Sequence, residues 1–334
     1  MEALKFRKAI LLVSLCLWTL TVFPQVKEDT IFQSDYLLIL NTYTSDAPWS
    51  NAIISPVLQW LNMERKTEVY VENMNMLMID DSLKLADLKT NIFAKYGKKK
   101  PKAVLLLGNS MMLFRNEMRE AWGDVPLILC GEESYMGPDD CYIKKYPVVP
   151  SEQVPLTNFT EEYNLTLLQT RVFIEENVKL LQHMIPGMKK IILIGDGRYV
   201  NQQLNTDMKQ LLQKAYPELE YDFYSAANMT TDSLLLKLNK VDSATTGVLL
   251  SSWFTRQVVA GNVQLQANSF QVISNSVTPI FALKNSLVVN SGMIGGFMYS
   301  QTDFNEQLLK TLSAVLSGVA PRTIPFYIPK GENI

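Results

Sequence analysis

The sequence predicts an α/β fold in two lobes, each a mostly parallel sheet flanked by helices. Three observations lead there. Short apolar runs alternate with amphipathic segments along most of the chain, which is the pattern of parallel strands joined by crossover helices. A stretch with Pro147, Pro150 and Pro155 and no helical period interrupts that alternation near the middle. The length of 334 residues, with 47% hydrophobic and 19% charged content, exceeds one ordinary domain and supports a substantial core.

Taken in order, strand-like runs stand at 36–40, 68–71, 103–107 and 127–129, and the helical stretches between them begin near Ser50, Ser82 and Ser110. A serine at each start can cap orphan amide groups. This is lobe 1, residues 26–150. After the proline-rich crossing, lobe 2 spans 151–275. A long helix at 161–183 ends before Pro186-Gly187, followed by a strand at 190–194, a helix at 200–215, a strand at 220–224, a short helix at 233–238, a strand at 248–250 and a helix at 262–275. Residues 276–334 return to lobe 1, with strands at 279–283 and 293–298, a helix at 303–317 and an edge strand at 324–328 consistent with Pro325 and Pro329.

The N-terminus reads as an export signal, residues 1–25, because Lys5, Arg7 and Lys8 precede an apolar run over 9–23. That run is shorter than the ~20 residues that span a bilayer comfortably. The mature chain is therefore expected to be soluble and periplasmic, on the outer side of the inner membrane. Once Cys16 is removed, Cys130 and Cys141 remain, to be read either as a disulfide across a short loop or as two unrelated thiols. The net charge of −2 and a pI near 5.7 argue against nucleic acid as a partner, and the run Lys98–Lys100 reads as a solvated turn.

Open parallel sheets bind ligands beyond the carboxyl ends of their strands, so the strand-end loops are the place to look. After the first strand, Asn41, Tyr43, Thr44 and Trp49 offer aromatic faces beside hydrogen-bonding groups. Asn109 and Ser110 follow the third strand, Glu132 the fourth, Asp196 the first strand of lobe 2, and Ser252 and Trp253 the strand at 248–250. For each, ordinary turn, cap or packing chemistry is the competing account. Recurrence in both lobes is what favours a ligand site.

Residues 36–60 combine a hydrophobic strand, the Asn41-Thr42-Tyr43 loop, the Pro48-Trp49-Ser50 helix start and the continuation Ile53-Ile54-Ser55-Pro56. This stretch resembles the ABC-transporter substrate-binding-like family of type I periplasmic binding folds. It is most similar to the version that serves as the extracytoplasmic sensor of hybrid two-component histidine kinases, and the likeness in strand order extends over residues 35–318. The resemblance implies a type I periplasmic-binding-protein-like fold that closes on a small solute and signals to a membrane kinase through lobe angle or homodimer contact. Residues 25–334 hold no transmembrane run, phosphoacceptor segment or ATP-binding boxes, so the kinase part would lie elsewhere. The alternative is a stand-alone binding protein of an ABC transporter.

Catalytic, metal and cofactor chemistry are not expected. His183 is the single histidine and precludes a histidine metal cluster. Gly195-Asp196-Gly197 lacks the longer spacing of a nucleotide-binding loop, and the adjacent acids Asp80-Asp81, Glu132-Glu133, Asp139-Asp140 and Glu175-Glu176 point different ways along their elements.

Overall fold

A computed structural model describes residues 36–64, 67–259, 262–284 and 293–334. The expected export signal, with Cys16, lies outside the described residues. Among these residues no helix is long and apolar enough to cross a membrane.

The first lobe runs β1 (Tyr36–Asn41), α1 (Pro48–Glu64), β2 (Glu68–Asn73), α2 (Ser82–Tyr96), β3 (Ala103–Leu107), α3 (Arg115–Trp122), β4 (Leu127–Gly131), β5 (Tyr135–Met136), α4 (Asp139–Lys144), β6 (Val154–Pro155) and β7 (Leu165–Gln169). Its sheet is parallel throughout, in the order β2-β1-β3-β4-β7. The inner strands β1, β3 and β4 are buried on both faces because both faces are covered, whereas edge strand β2 is half exposed. Alternate residues of β1 serve opposite faces: Tyr36, Leu38 and Leu40 pack with Leu85, Ile92 and Trp122 of α2 and α3, while Leu37 and Ile39 pack with Ile53 and Val57 of α1. Each such side chain contributes roughly 1.5–3 kcal/mol relative to exposure.

The second lobe runs α5 (Ile174–Met184), β8 (Lys190–Gly195), α6 (Tyr199–Ala215), β9 (Glu220–Ser225), α7 (Thr231–Leu238), β10 (Thr246–Leu250), β11 (Phe254–Val259), β12 (Asn262–Ala267), α8 (Ser269–Asn275) and β13 (Phe281–Ala282). Its parallel sheet has the order β13-β10-β8-β9, and β11 and β12 form a separate antiparallel ribbon. Ile191 and Leu193 pack with α5 and α6 on one face, Ile192 and Ile194 with α7 and α8 on the other.

The chain then forms β14 (Phe297–Tyr299), α9 (Gln301–Leu316) and β15 (Gly331–Asn333). Phe304, Leu308 and Leu312 of α9 complete the α1 face of the first sheet. The tail stays beside the crossings between lobes. Tyr327 exchanges backbone hydrogen bonds with Leu167 and Gln169, and β15 pairs antiparallel with β14. Buried Asn177 of α5 ties two crossings together, donating to the Phe173 and Phe297 carbonyls and accepting from the Phe297 amide.

Several expectations are corrected. The helix expected over 161–183 is instead strand β7 followed by α5, since β7 hydrogen-bonds along β4. The first lobe therefore continues to Gln169, and the prolines expected at a crossing sit within it. A short run buried on both faces carries no period that separates strand from helix, which is why the sequence misleads there. Residues 262–275 divide into β12 and α8, and 324–328 form one parallel bridge from Tyr327 to Leu168 rather than a strand. The serines are not the caps: Asp81 caps α2 by accepting from the Lys84 amide, and Ser50 lies inside α1. Cys130 and Cys141 are both buried, free thiols. They pack on opposite faces of the first sheet, Cys130 with the α1 side and Cys141 with the α2 side, so the disulfide reading fails.

Candidate functional site

Strand order decides where loops diverge. In the first sheet the chain leaves β1 toward β2 on one side and reaches β3 on the other, and in the second it does the same about β8 with β9 and β10. At such switch points the loops beyond the strand ends separate and leave a crevice. The loops after β1 and β3 meet the loop after β8 across one void of about 40 Å3. That volume holds a few waters, so a larger solute would need the two lobes to part.

On the first lobe, Tyr43 and Trp49 meet edge to face with ring centroids 5.5 Å apart. They stand there because buried Asn41 shapes the loop, accepting from the Tyr43 amide at 3.2 Å and donating to Asn73 Oδ1 at 2.8 Å. Gly108 follows β3 with φ 96°, and a Cβ there would come within 2.5 Å of Thr42 Oγ1. Only glycine lets the two loops approach so closely. Their polar ends then join, Thr42 Oγ1 to Ser110 Oγ at 2.9 Å. Asn109 lines the void and donates its side-chain amide to the Glu133 and Tyr135 carbonyls, fixing the strand-end loop after β4. Met76, Leu77 and Tyr142 add apolar surface.

The second lobe contributes Arg198. Its Nε and Nη2 donate to the two carboxylate oxygens of Asp196 at 2.9 Å each, and Nη2 also donates to Ser252 Oγ. Asp196 has no exposed surface, and Asn201 and Ser252 donate to it as well. Burial opposes the Asp196 charge, yet the Arg198 charge and the hydrogen bonds outweigh it and hold the carboxyl below its ordinary range. The guanidinium is thereby aimed across the void, 5.0 Å from the Tyr43 ring centroid and 4.2 Å from that of Phe254. Among the described residues nothing accepts from its Nη1.

Three further contacts cross between lobes. Lys284 pairs with Glu132 at 2.5 Å with both side chains nearly buried, Gln203 accepts from the Val148 amide at 2.8 Å, and the Tyr142 and Tyr199 rings approach to 4.5 Å. Glu133 lies beside them, and its Oε2 and the Tyr199 hydroxyl are buried and, among the described residues, unpartnered. Burial first, and the Glu132 charge second, push the Glu133 carboxyl up to about 8.

Of the residues singled out in the sequence, Tyr43, Trp49, Asn109, Ser110 and Glu132 line the void. Asn41, Asp196 and Ser252 lie one layer behind, the first shaping the Tyr43 loop and the others orienting Arg198. Thr44 points its carbonyl back to the Asn41 amide and the Ala47 N–H. Trp253 is fully buried in the second-lobe core and donates its indole N–H to Thr231, so it faces away from the cleft. Sequence reasoning reached the strand-end loops of Glu133 and Arg198 but chose their neighbours Glu132 and Asp196, and it missed Tyr142, Tyr199 and Lys284. Arg198 carried a signal, standing two residues past Asp196 in a strand-end turn; the others come from α4, α6 and loops whose approach depends on tertiary packing. His183 is exposed in the last turn of α5. Among the described residues no group of three or more His, Cys, Asp or Glu is placed to hold a metal ion.

No protein-family model matches the sequence, and no curated protein matches it. Solved structures do. The ABC domain in complex with L-Trp from Streptococcus pneumonia is similar at TM-score 0.56 and 14% identity, over 89% of this chain and 91% of that one. A carbohydrate transporter solute-binding protein from Agrobacterium radiobacter, in complex with D-arabinose, is similar at TM-score 0.55 and 13% identity, over 91% and 95%. The transcription regulator CcpA of Lactococcus lactis is similar at TM-score 0.53 and 12% identity, over 90% and 98%. At such identities the likeness shows the fold alone, and that fold is type I periplasmic-binding-protein-like, with parallel sheets flanked by helices.

Proposed function

We propose that this chain is an extracytoplasmic solute-binding protein of the kind that delivers its ligand to an ABC transporter. One small solute sits between the lobes, its apolar or aromatic body against Tyr43 and Trp49 and a polar or anionic group on Arg198. The observation that carries this reading is Arg198 itself. A guanidinium pinned by a buried carboxylate, aimed at an aromatic wall on the opposite lobe and, among the described residues, left with one nitrogen unbonded, is a preorganised recognition element. Apolar walls with few polar groups are what a small-solute cleft requires. The solute-binding proteins among the similar structures support the transporter reading. The kinase-sensor reading rests on the first loop alone and gains no support from them, so the transporter reading takes its place. No catalytic role is proposed, because the site pairs no nucleophile with a base.

The test is a thermal-shift and calorimetric screen against sugars, nucleosides, amino acids and aromatic acids. A ligand at a hundredfold excess over its dissociation constant stabilises the folded state by about 2.7 kcal/mol. The hit should be lost in Tyr43→Ala while the unliganded variant keeps a melting temperature near wild type, since Tyr43 is only half-buried. Absence of a shift with every class would sink this reading.

A further inference from the structure

On the other side of Glu133 lies a second chamber of about 330 Å3, between the loop after β4, the crossing after β7 and α6. The two chambers share Glu132, Glu133 and Val200 in their walls. Beside that shared wall two polar atoms are buried without partners among the described residues, Glu133 Oε2 and the Tyr199 hydroxyl. Glu133 is 8% exposed, and Asn109 holds its backbone on both sides, accepting from its amide and donating to its carbonyl. The carboxyl is thus kept at the shared wall. Asp207 of α6 lines the second chamber and uses Oδ1 to accept from Gln203 at 2.8 Å, Gln203 being fixed in turn by the Val148 amide. Among the described residues no lysine or arginine forms an ion pair with Glu133 or Asp207.

A buried acceptor without a partner costs about 1–3 kcal/mol, and a desolvated carboxylate more. A group that brings both N–H donors and positive charge relieves both costs together. An ammonium has three donors and a compact charge, and Glu133 in the shared wall offers an acceptor, with the Tyr199 oxygen on the first chamber's side and Asp207 on the second's. A carboxylate would be repelled there once Glu133 is ionised. We propose that the shared wall of the two chambers is a subsite for an ammonium group, so that the solute of the cleft is an organic amine whose apolar body rests on Tyr43 and Trp49. This rests on the solute-binding reading and narrows its ligand to a class.

Calorimetry on the full chain with tyramine, with its alcohol counterpart 2-(4-hydroxyphenyl)ethanol and with 3-(4-hydroxyphenyl)propionate compares one aromatic body carrying three end groups. The amine should bind at least about tenfold more tightly than the alcohol, as expected of a charge-assisted hydrogen bond in a buried site, and the carboxylate should bind weakest. Glu133→Gln should bring amine and alcohol to equal affinity, and Asp207→Asn, on the more exposed side, should halve the gap or more if the first variant fails to fold. An alcohol or carboxylate that binds as tightly as the amine to wild type overturns the ammonium subsite and leaves the cleft reading standing. A preference for the amine that survives in both variants overturns it equally. Binding of none of the three, with no hit in the wider screen, overturns both readings.

Discussion

Asp196 has no contact with water and yet holds a charge, because Arg198 closes on it with two hydrogen bonds and Asn201 and Ser252 supply two more. Removing one member leaves the other charge buried alone. Asp196→Ala should therefore cost about 3–5 kcal/mol in urea unfolding and abolish ligand binding with it. Glu133 is the opposite case. Its carboxyl rises from 4.5 to about 8 through burial and the Glu132 charge, with Asp207 adding to the rise, Lys284 opposing it, and Tyr135, Tyr142 and Tyr199 packed around it. The folded state then binds more protons than the unfolded chain between those two values, so stability from this site is complete below the lower one and is lost as pH climbs to the upper. Asp207, raised chiefly by burial, has the same sign, and Asp196 has the opposite sign at more acidic pH. The melting temperature of the unliganded protein should fall between pH 5 and pH 8, and Glu133→Gln should flatten that slope. A flat wild-type profile would contradict a desolvated Glu133.

At the scale of elements, the site depends on loops that approach more closely than side chains ordinarily permit. Gly131 ends β4, and a Cβ there would lie 2.3 Å from Asn109 Oδ1. Gly131→Ala should push the Asn109 amide off the Glu133 backbone, costing about 1–3 kcal/mol for the lost buried hydrogen bonds and loosening ligand affinity, both measurable on the same purified variant. Element types were largely legible in the sequence where the apolar runs were bounded by glycine or proline, as at 103–107 and 190–194, or by small polar residues, as at 36–40. They were illegible at 165–169, where a run buried on both faces has no period. The ribbon β11–β12 shows the converse: Val263, Leu265 and Ala267 alternate with Gln264 and Gln266, and that period of two was overlooked in favour of a helix.

For the whole molecule, the decisive contacts are those that hold one lobe against the other. Lys284–Glu132, Val148–Gln203 and Tyr142–Tyr199 span the cleft, and Asn177 fastens two of the crossings about which the lobes would move. A solute that contacts both lobes favours the closed arrangement by its differential affinity. Lys284→Met removes the ion pair without touching the aromatic wall. Small-angle scattering of the unliganded variant should show a larger radius of gyration than wild type, and ligand should restore the compact value at a weaker dissociation constant. An unchanged radius would mean that the other two contacts hold the lobes by themselves.

The sequence by itself determined the α/β class and its two lobes, because strands covered on both faces must be apolar and crossover helices must be amphipathic, and both patterns survive in one dimension. It also placed Tyr43 and Trp49, since a polar loop after the first strand of such a sheet has few other places to go. Tertiary structure alone decided that Trp253 belongs to the core, that Cys130 and Cys141 lie on opposite faces of one sheet, and that Arg198, Glu133, Tyr199 and Lys284 converge. These residues come from segments far apart in the chain, and their roles follow from distance and desolvation, which composition and spacing do not encode.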